Sequence, residues 1–403
     1  MTRPYLHYAW EISLYSGKTR AYLRYKGIPF VEKTIHLWTM PTIQKKVGAQ
    51  VMPVVVTPEG EWLQDTSHII DVLEQRFPNA PVVPVTPRQK MASSLIEAWA
   101  DEYWLPTAMH FRWSYPENFR DRFQPEVGDN LLPFMPRFIK NRAVTRVATL
   151  LRSYLPGVGV VPGQHDIIER WTHEQLDLLD AHFAQYAYLL GSKPCLGDFG
   201  LIGPLYAHLG RDPWPARELI AKRPNLHAWV KRMMNPSQPK AGKFIANDVI
   251  PDTLLPLFKS VFTEFWPQLE LTVGEIERTR ADLKPGSLIA PHQIIDYTWG
   301  RKSTMFDGNG TPVTHVDFTE PYDADTVLLM RDWRVQPGAT QFDAFTTARG
   351  AGRCRAHPAG SPTSPVALRA DPAADGATSA RHPQASAGAG RTGCCRARRP
   401  RPG

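Results

Sequence analysis

Apolar runs alternating with helical periods over the first eighty residues predict an α/β unit. Tyr5-Leu6-His7-Tyr8 has the pattern of a short strand, and Ser16 to Lys26 that of a helix stopped by Gly27 and Pro29. Phe30 to His36 predicts a second strand and Thr42 to Val47 a short helix before Gly48. Val51 to Thr57, the turn Pro58-Glu59-Gly60 and Trp62-Leu63-Gln64 predict a β-hairpin. A helix then runs from Thr66, with Ile69, Val72, Leu73 and Phe77 on one face, and ends at Pro78. The predicted order is βαβαββα.

Pro81 to Pro87 holds three prolines in seven residues and no helical period, which predicts a stiff linker. Beyond it the pattern is helical. Gln89 to Met109 is rich in aromatics, including Trp99, Tyr103 and Trp104. Leu179, Phe183, Tyr186 and Leu190 keep the spacing of one buried stripe, and Phe199, Ile202, Tyr206 and Leu209 that of a shorter one. Pro224 opens a helix whose apolar face is Leu226, Trp229, Val230 and Met233. Leu254, Leu257, Phe258, Val261, Phe262 and Phe265 form a further amphipathic face. These patterns divide the chain into an α/β domain at 1–80, the linker at 81–87, a helical domain at 88–235 and an extension of mixed signals at 236–345. The extension has a turn signal at Asp307-Gly308-Asn309-Gly310.

Composition changes the picture at the C-terminal end. Residues 346–403 are rich in Ala, Gly, Pro, Ser and Arg, a composition too poor in large apolar side chains to offset ordering entropy, so disorder is expected there. Such a break marks a flexible tail or a coding sequence read out of frame. The tail also carries the charge imbalance. The chain has a net charge of +8, but ten arginines and only two aspartates lie in 346–403, leaving 37 basic and 37 acidic residues in 1–345. A basic nucleic-acid-binding surface on the body is therefore not expected. No apolar run approaches a membrane span and the N-terminus has no secretory pattern, so the sequence predicts a cytoplasmic protein with no membrane partner. Of the four cysteines, only Cys195 lies outside the tail, which excludes a disulfide framework in the body and a catalytic thiol before residue 195.

Four stretches resemble the glutathione transferase superfamily over about residues 5–235. Ser13-Leu14-Tyr15-Ser16-Gly17-Lys18-Thr19-Arg20, followed by Tyr25-Lys26-Gly27-Ile28-Pro29, is similar to the family's first helix and its exit. Val51-Met52-Pro53-Val54 is similar to the strand entered through a cis-proline, and Gln64-Asp65-Thr66-Ser67-His68-Ile69-Ile70 to the acid-then-hydroxyl opening of the third helix. Leu196-Gly197-Asp198-Phe199-Gly200-Leu201 and Pro224-Asn225-Leu226-His227-Ala228-Trp229 are similar to the helical domain. The resemblance implies a thioredoxin-like α/β domain followed by an all-α domain, glutathione as co-substrate, an apolar electrophile as second substrate, a homodimer, and a role in detoxification. A binding or scaffold protein that keeps the fold without catalysis is the alternative.

It also implies roles for particular residues. Ser13, just before the first helix, would hold the catalytic position, although the proline that usually follows is Leu14 here. A hydroxyl at a helix N-terminus stabilises a thiolate, and the same hydroxyl is a common N-cap. Tyr8 is the rival thiolate donor, or a packing residue of its strand. The backbone of Met52, ahead of Pro53, would take the cysteinyl part of glutathione. Asp65 and Thr66 would hold its γ-glutamyl ammonium and carboxylate, or simply cap the helix. Asp198 is expected to be structural, with half its capping box missing because Cys195 stands where Ser or Thr is usual. Trp104, His110 and Phe111, in an aromatic group with Trp99, Tyr103 and Trp113, are expected partly in the core and partly at the electrophile pocket. Scattered histidines such as His165, His173 and His182 show no metal-site spacing, so no metal is expected.

Overall fold

A computed structural model describes residues 3–48, 50–155, 158–236 and 242–266, together with the backbone of two short paired strands, Met305–Phe306 and Pro312–Thr314. The turn expected at 307–310 and the tail at 346–403 lie outside the described residues, as does most of the 236–345 extension.

The first unit is β1 (Tyr5–Ala9), α1 (Leu14–Lys26), β2 (Phe30–Thr34), α2 (Met40–Val47), β3 (Val54–Val56), β4 (Trp62–Gln64) and α3 (Thr66–Arg76). This is the predicted βαβαββα order, in a thioredoxin-like arrangement. The sheet order is β2-β1-β3-β4, with β1 parallel to β2 and antiparallel to β3, and β3 antiparallel to β4. α1 starts two residues earlier than the periodicity suggests, because Ser13 rather than Ser16 is its N-cap. It ends on Gly27 at φ 64°, a left-handed backbone that glycine adopts without steric cost.

The second unit is helical. α4 (Pro87–Ala98) and α5 (Leu105–Ser114) replace the single long helix expected over Gln89 to Met109. Pro106, in the first turn of α5, has no N–H to donate backwards, and a wide π turn at Trp99–Tyr103 joins the two helices. The helix His165–Phe183 stops short of the predicted stripe: Leu179 and Phe183 are on it, while Leu190 reaches the same core from the following turn. The helices Leu196–Ala207 and Pro224–Met234 bury Phe199, Ile202, Leu226, Trp229, Val230 and Met233 as the periodicity predicts. The core continues past residue 235, where Leu254, Leu257, Phe258, Val261 and Phe265 join it, fully or almost fully buried.

The two units meet helix to helix. A Cβ on Gly200 would stand 3.0 Å from the backbone of Glu97, and one on Gly203 would stand 3.0 Å from the carbonyl oxygen of Leu14. Glycine there lets the helix Leu196–Ala207 lie against both α4 and α1. Leu14 fills the space beside Gly203 and is buried. Among the described residues no helix is long and apolar enough to cross a membrane.

The N-terminus of the helix Leu196–Ala207 corrects one expectation. Both halves of the capping box are formed: the Cys195 thiol accepts from the Asp198 backbone, and Asp198 Oδ2 accepts from Cys195 N–H at 2.9 Å. A sulfur acceptor suffices because the site is sealed. Asp198 Oδ1 also accepts from Trp229 Nε1 (2.9 Å) and Leu189 N–H (3.2 Å), tying three segments together.

Candidate functional site

The β3–β4 hairpin sets up the site. Its last pair is Val54 with Gln64, so one step further the antiparallel register puts Pro53 beside Asp65. The Met52–Pro53 peptide is cis. Asp65 has φ 70°, a conformation that side chains other than glycine rarely adopt and that costs about 1–3 kcal/mol unless the surroundings impose it. Here α3 imposes it: Asp65 is the N-cap, and its Oδ1 accepts from Ser67 N–H and His68 N–H, both at 2.9 Å. Thr66, the first residue of the helix, is buried.

These residues form one wall of a cleft lined by Val51, Met52, Pro53, Gln64, Asp65, Thr66 and Ser67. Tyr15 from α1 and Asp101 and Glu102 from the π turn complete it. Below the floor, α1 sends up Lys18, which is fully buried. Its Nζ donates to Ser67 Oγ (3.2 Å), to Glu97 Oε1 (3.1 Å) and to Asp101 Oδ2. Burial alone would lower the lysine pKa, but the charges of Asp101 and Glu97 outweigh it and raise the pKa above its ordinary value. Lys18 therefore stays an ammonium and pins α3 and the π turn to α1. The cleft lining includes three carboxylates, Asp65, Asp101 and Glu102, with the Tyr15 phenol and the Thr66 and Ser67 hydroxyls. It suits a ligand that brings a cationic group together with hydrogen-bond acceptors.

Residues 8–81 match the family described as glutathione S-transferase, N-terminal domain, and residues 164–236 the one described as glutathione S-transferase, C-terminal domain. These two stretches are glutathione S-transferase domains. Among solved structures, a glutathione S-transferase from Methylobacterium radiotolerans in complex with glutathione sulfonate is 22% identical, covering 62% of this chain and 100% of its own, with a TM-score of 0.38. The beta-etherase LigF from Sphingobium sp. is 18% identical over 60% of this chain and 97% of its own, with a TM-score of 0.41. FzlA from C. crescentus is 14% identical over 61% and 98%, with a TM-score of 0.38. The curated relatives match over shorter stretches. A probable S-methyl-5'-thioinosine phosphorylase from Xylella fastidiosa is 49% identical over 51 residues, and a 6-oxopurine nucleoside phosphorylase from Pyrococcus furiosus 43% identical over 68. The chain spans only 20% and 26% of those two proteins.

Within this glutathione S-transferase fold the two candidate hydroxyls sit in different surroundings. Ser13 Oγ accepts from Ser16 N–H at 3.3 Å, so it caps α1. Arg112 of α5 fixes the turn before it, donating to the Ile12 carbonyl at 3.0 Å while its guanidinium pairs with Asp212 at 2.8 Å. Tyr8 stacks on Trp62, with ring centroids 5.6 Å apart, and packs with the cluster that includes Ile43 and Val47 of α2. Neither residue is part of the cleft lining. Tyr15, Asp101 and Glu102 are, and no local sequence pattern marks them.

The aromatic group belongs to the core. Trp99, Trp104 and Phe111 are fully buried, and Trp99, Tyr103 and Trp104 pack edge-on against Trp171. Phe111 stacks on Tyr115 and Trp214. His110 is buried beside Glu169. None of Trp104, His110 and Phe111 lines the cleft, and all three are buried. Among the described residues no group of three or more His, Cys, Asp or Glu side chains is placed to hold a metal ion.

Proposed function

We propose that the chain binds glutathione in this cleft and activates its thiol for attack on an apolar electrophile. The observation that carries the reading is the meeting of Met52–cis-Pro53 with Asp65–Thr66 in one cleft of a chain with glutathione S-transferase domains. Both amides that Asp65 accepts fall on Oδ1, which leaves Oδ2 for the γ-glutamyl ammonium. The Thr66 hydroxyl and the N-terminal end of α3 take the γ-glutamyl carboxylate. The Met52 backbone pairs with the cysteinyl residue. Ser13 is the thiolate donor: in the cap it acts only as an acceptor, so its own proton is available to a sulfur anion at the head of α1. The rate gain comes from holding the thiolate and from proximity.

A second reading, a glutathione-binding or scaffold protein without turnover, is favoured by one observation: neither Ser13 nor Tyr8 belongs to the cleft lining. Retention on immobilised glutathione separates both readings from a protein that does not bind it. Turnover of a chromogenic aryl halide then selects catalysis over binding alone. We further propose that a second copy covers the exposed apolar side chains Trp38, Phe134 and Phe138, where Trp38 and Phe134 stack across the two units.

A further inference from the structure

The far end of α5 carries a chain of polar side chains that the cleft does not use. Ser114 is the last residue of α5 and is exposed. Its Oγ lies 3.0 Å from Nδ1 of His110, one turn earlier. On the other edge of the imidazole, Nε2 lies 2.8 Å from Oε1 of Glu169, on the helix His165–Phe183. The Tyr115 hydroxyl donates to that same oxygen, also at 2.8 Å. A serine near a helix end ordinarily bonds back to a backbone carbonyl; this one bonds to the ring.

The direction of each hydrogen bond follows from Glu169. Burial would raise its pKa, but the hydrogen bonds from His110 and Tyr115 outweigh burial and hold it below the ordinary value. Glu169 is therefore a carboxylate, and a carboxylate only accepts. Nε2 must carry the imidazole proton, Nδ1 presents its lone pair, and the Ser114 hydroxyl donates to it. Burial, the largest influence on His110, lowers its pKa, so the ring is neutral and basic at pH 7. Hydroxyl, imidazole and carboxylate thus stand in the order and at the separations that activate a serine.

We propose that Ser114 is a nucleophile, with His110 as its general base and Glu169 orienting the ring, and that this site takes acyl groups from small unhindered esters. Ser114 Oγ attacks the ester carbon, its proton passes to His110 Nδ1, and the carbonyl pair moves onto oxygen. Collapse of that intermediate re-forms the carbonyl and expels the alcohol oxygen, which leaves with the proton from Nδ1. Water then gives a proton to Nδ1, attacks the acyl carbon and releases the acid, and Ser114 recovers its proton. Water is the only co-reactant. Nothing in this proposal depends on glutathione.

The test is labelling of the full chain by a fluorophosphonate, on which Ser114 Oγ would displace fluoride, read by intact mass and peptide mapping. One adduct on Ser114 is expected, and none in Ser114→Ala. His110→Gln should slow labelling by roughly 10²-fold or more, the scale of a lost general base, and Glu169→Gln by about tenfold. Glu169 has a side chain 35% exposed, so its variant tests the relay even if a change at buried His110 disturbs folding, and circular dichroism melting shows which has happened. No adduct on Ser114, or equal labelling rates in wild type and a folded Glu169→Gln variant, would overturn the proposal.

Discussion

At Asp198 one side chain ties three segments of the helical unit together, and the cost of changing it can be worked from its contacts. It is fully buried and accepts three hydrogen bonds, from Cys195 N–H, Leu189 N–H and Trp229 Nε1. Asp198→Ala leaves three buried donors without an acceptor. Each such orphan costs about 1–3 kcal/mol, so the loss should be at least about 3 kcal/mol. That is a large part of the roughly 5–15 kcal/mol that a folded domain has in total. Asp198→Asn is gentler. Its oxygen keeps Leu189 and Trp229, while its amide group turns a donor towards Cys195 N–H. One bond is lost and one repulsive contact made, for about 1–3 kcal/mol. Urea unfolding of the full chain, followed by tryptophan fluorescence, should therefore rank wild type above Asn above Ala, with about 2 kcal/mol between the variants. Equal costs for Asn and Ala, or less than 1 kcal/mol for both, would refute the view that Asp198 ties these segments through its oxygens.

Three further outcomes are expected. Parallel Ser13→Ala and Tyr8→Phe variants should differ: loss of Ser13 should slow turnover at neutral pH by about 2.7–4 kcal/mol of barrier and be partly rescued at higher pH, while Tyr8→Phe leaves the pH–rate profile alone. His182 donates from Nε2 to the Tyr188 carbonyl and accepts at Nδ1 from Thr253, and burial lowers its pKa from 6.5 to about 4. The folded protein therefore resists a proton that the unfolded chain accepts. Stability from this group is present above pH 6.5 and is lost as the pH falls towards 4, by about 3 kcal/mol at about 1.4 kcal/mol per unit, and urea midpoints in His182→Gln should lack that part of the acid slope. A Phe134→Glu/Phe138→Glu double variant should sediment as a monomer where wild type sediments as a dimer; an unchanged sedimentation coefficient places any interface elsewhere.

Much of the fold is legible in the sequence because it is local. The strands and α1 to α3 follow from period, glycine stops and prolines, and the observed hairpin register, Val54 with Gln64, sets Pro53 beside Asp65; that the two serve one site is an expectation of the family resemblance. What was missed depends on docking. Tyr15, Asp101 and Glu102 reach the cleft only because α1 and the π turn pack together, and no local pattern shows that. Pro106 was a visible signal for the break in the long aromatic helix, but the dense aromatics around it resemble one continuous face. The Cys195 capping box depends on burial, which makes a weak sulfur acceptor sufficient. Ser114 and His110 are four residues apart in plain view; Glu169, which gives that pair its direction, comes from another helix.

The central claim is that the cleft between β3, α3 and the π turn is a glutathione site, and calorimetric titration of the full chain with reduced glutathione tests it most directly. The account predicts saturable binding of one glutathione per chain, weakened by about 1.5–3 kcal/mol in a folded Asp65→Ala/Thr66→Ala variant, the scale of a hydrogen bond to a charged group. No binding to wild type, or the same affinity in wild type and that variant, would contradict it.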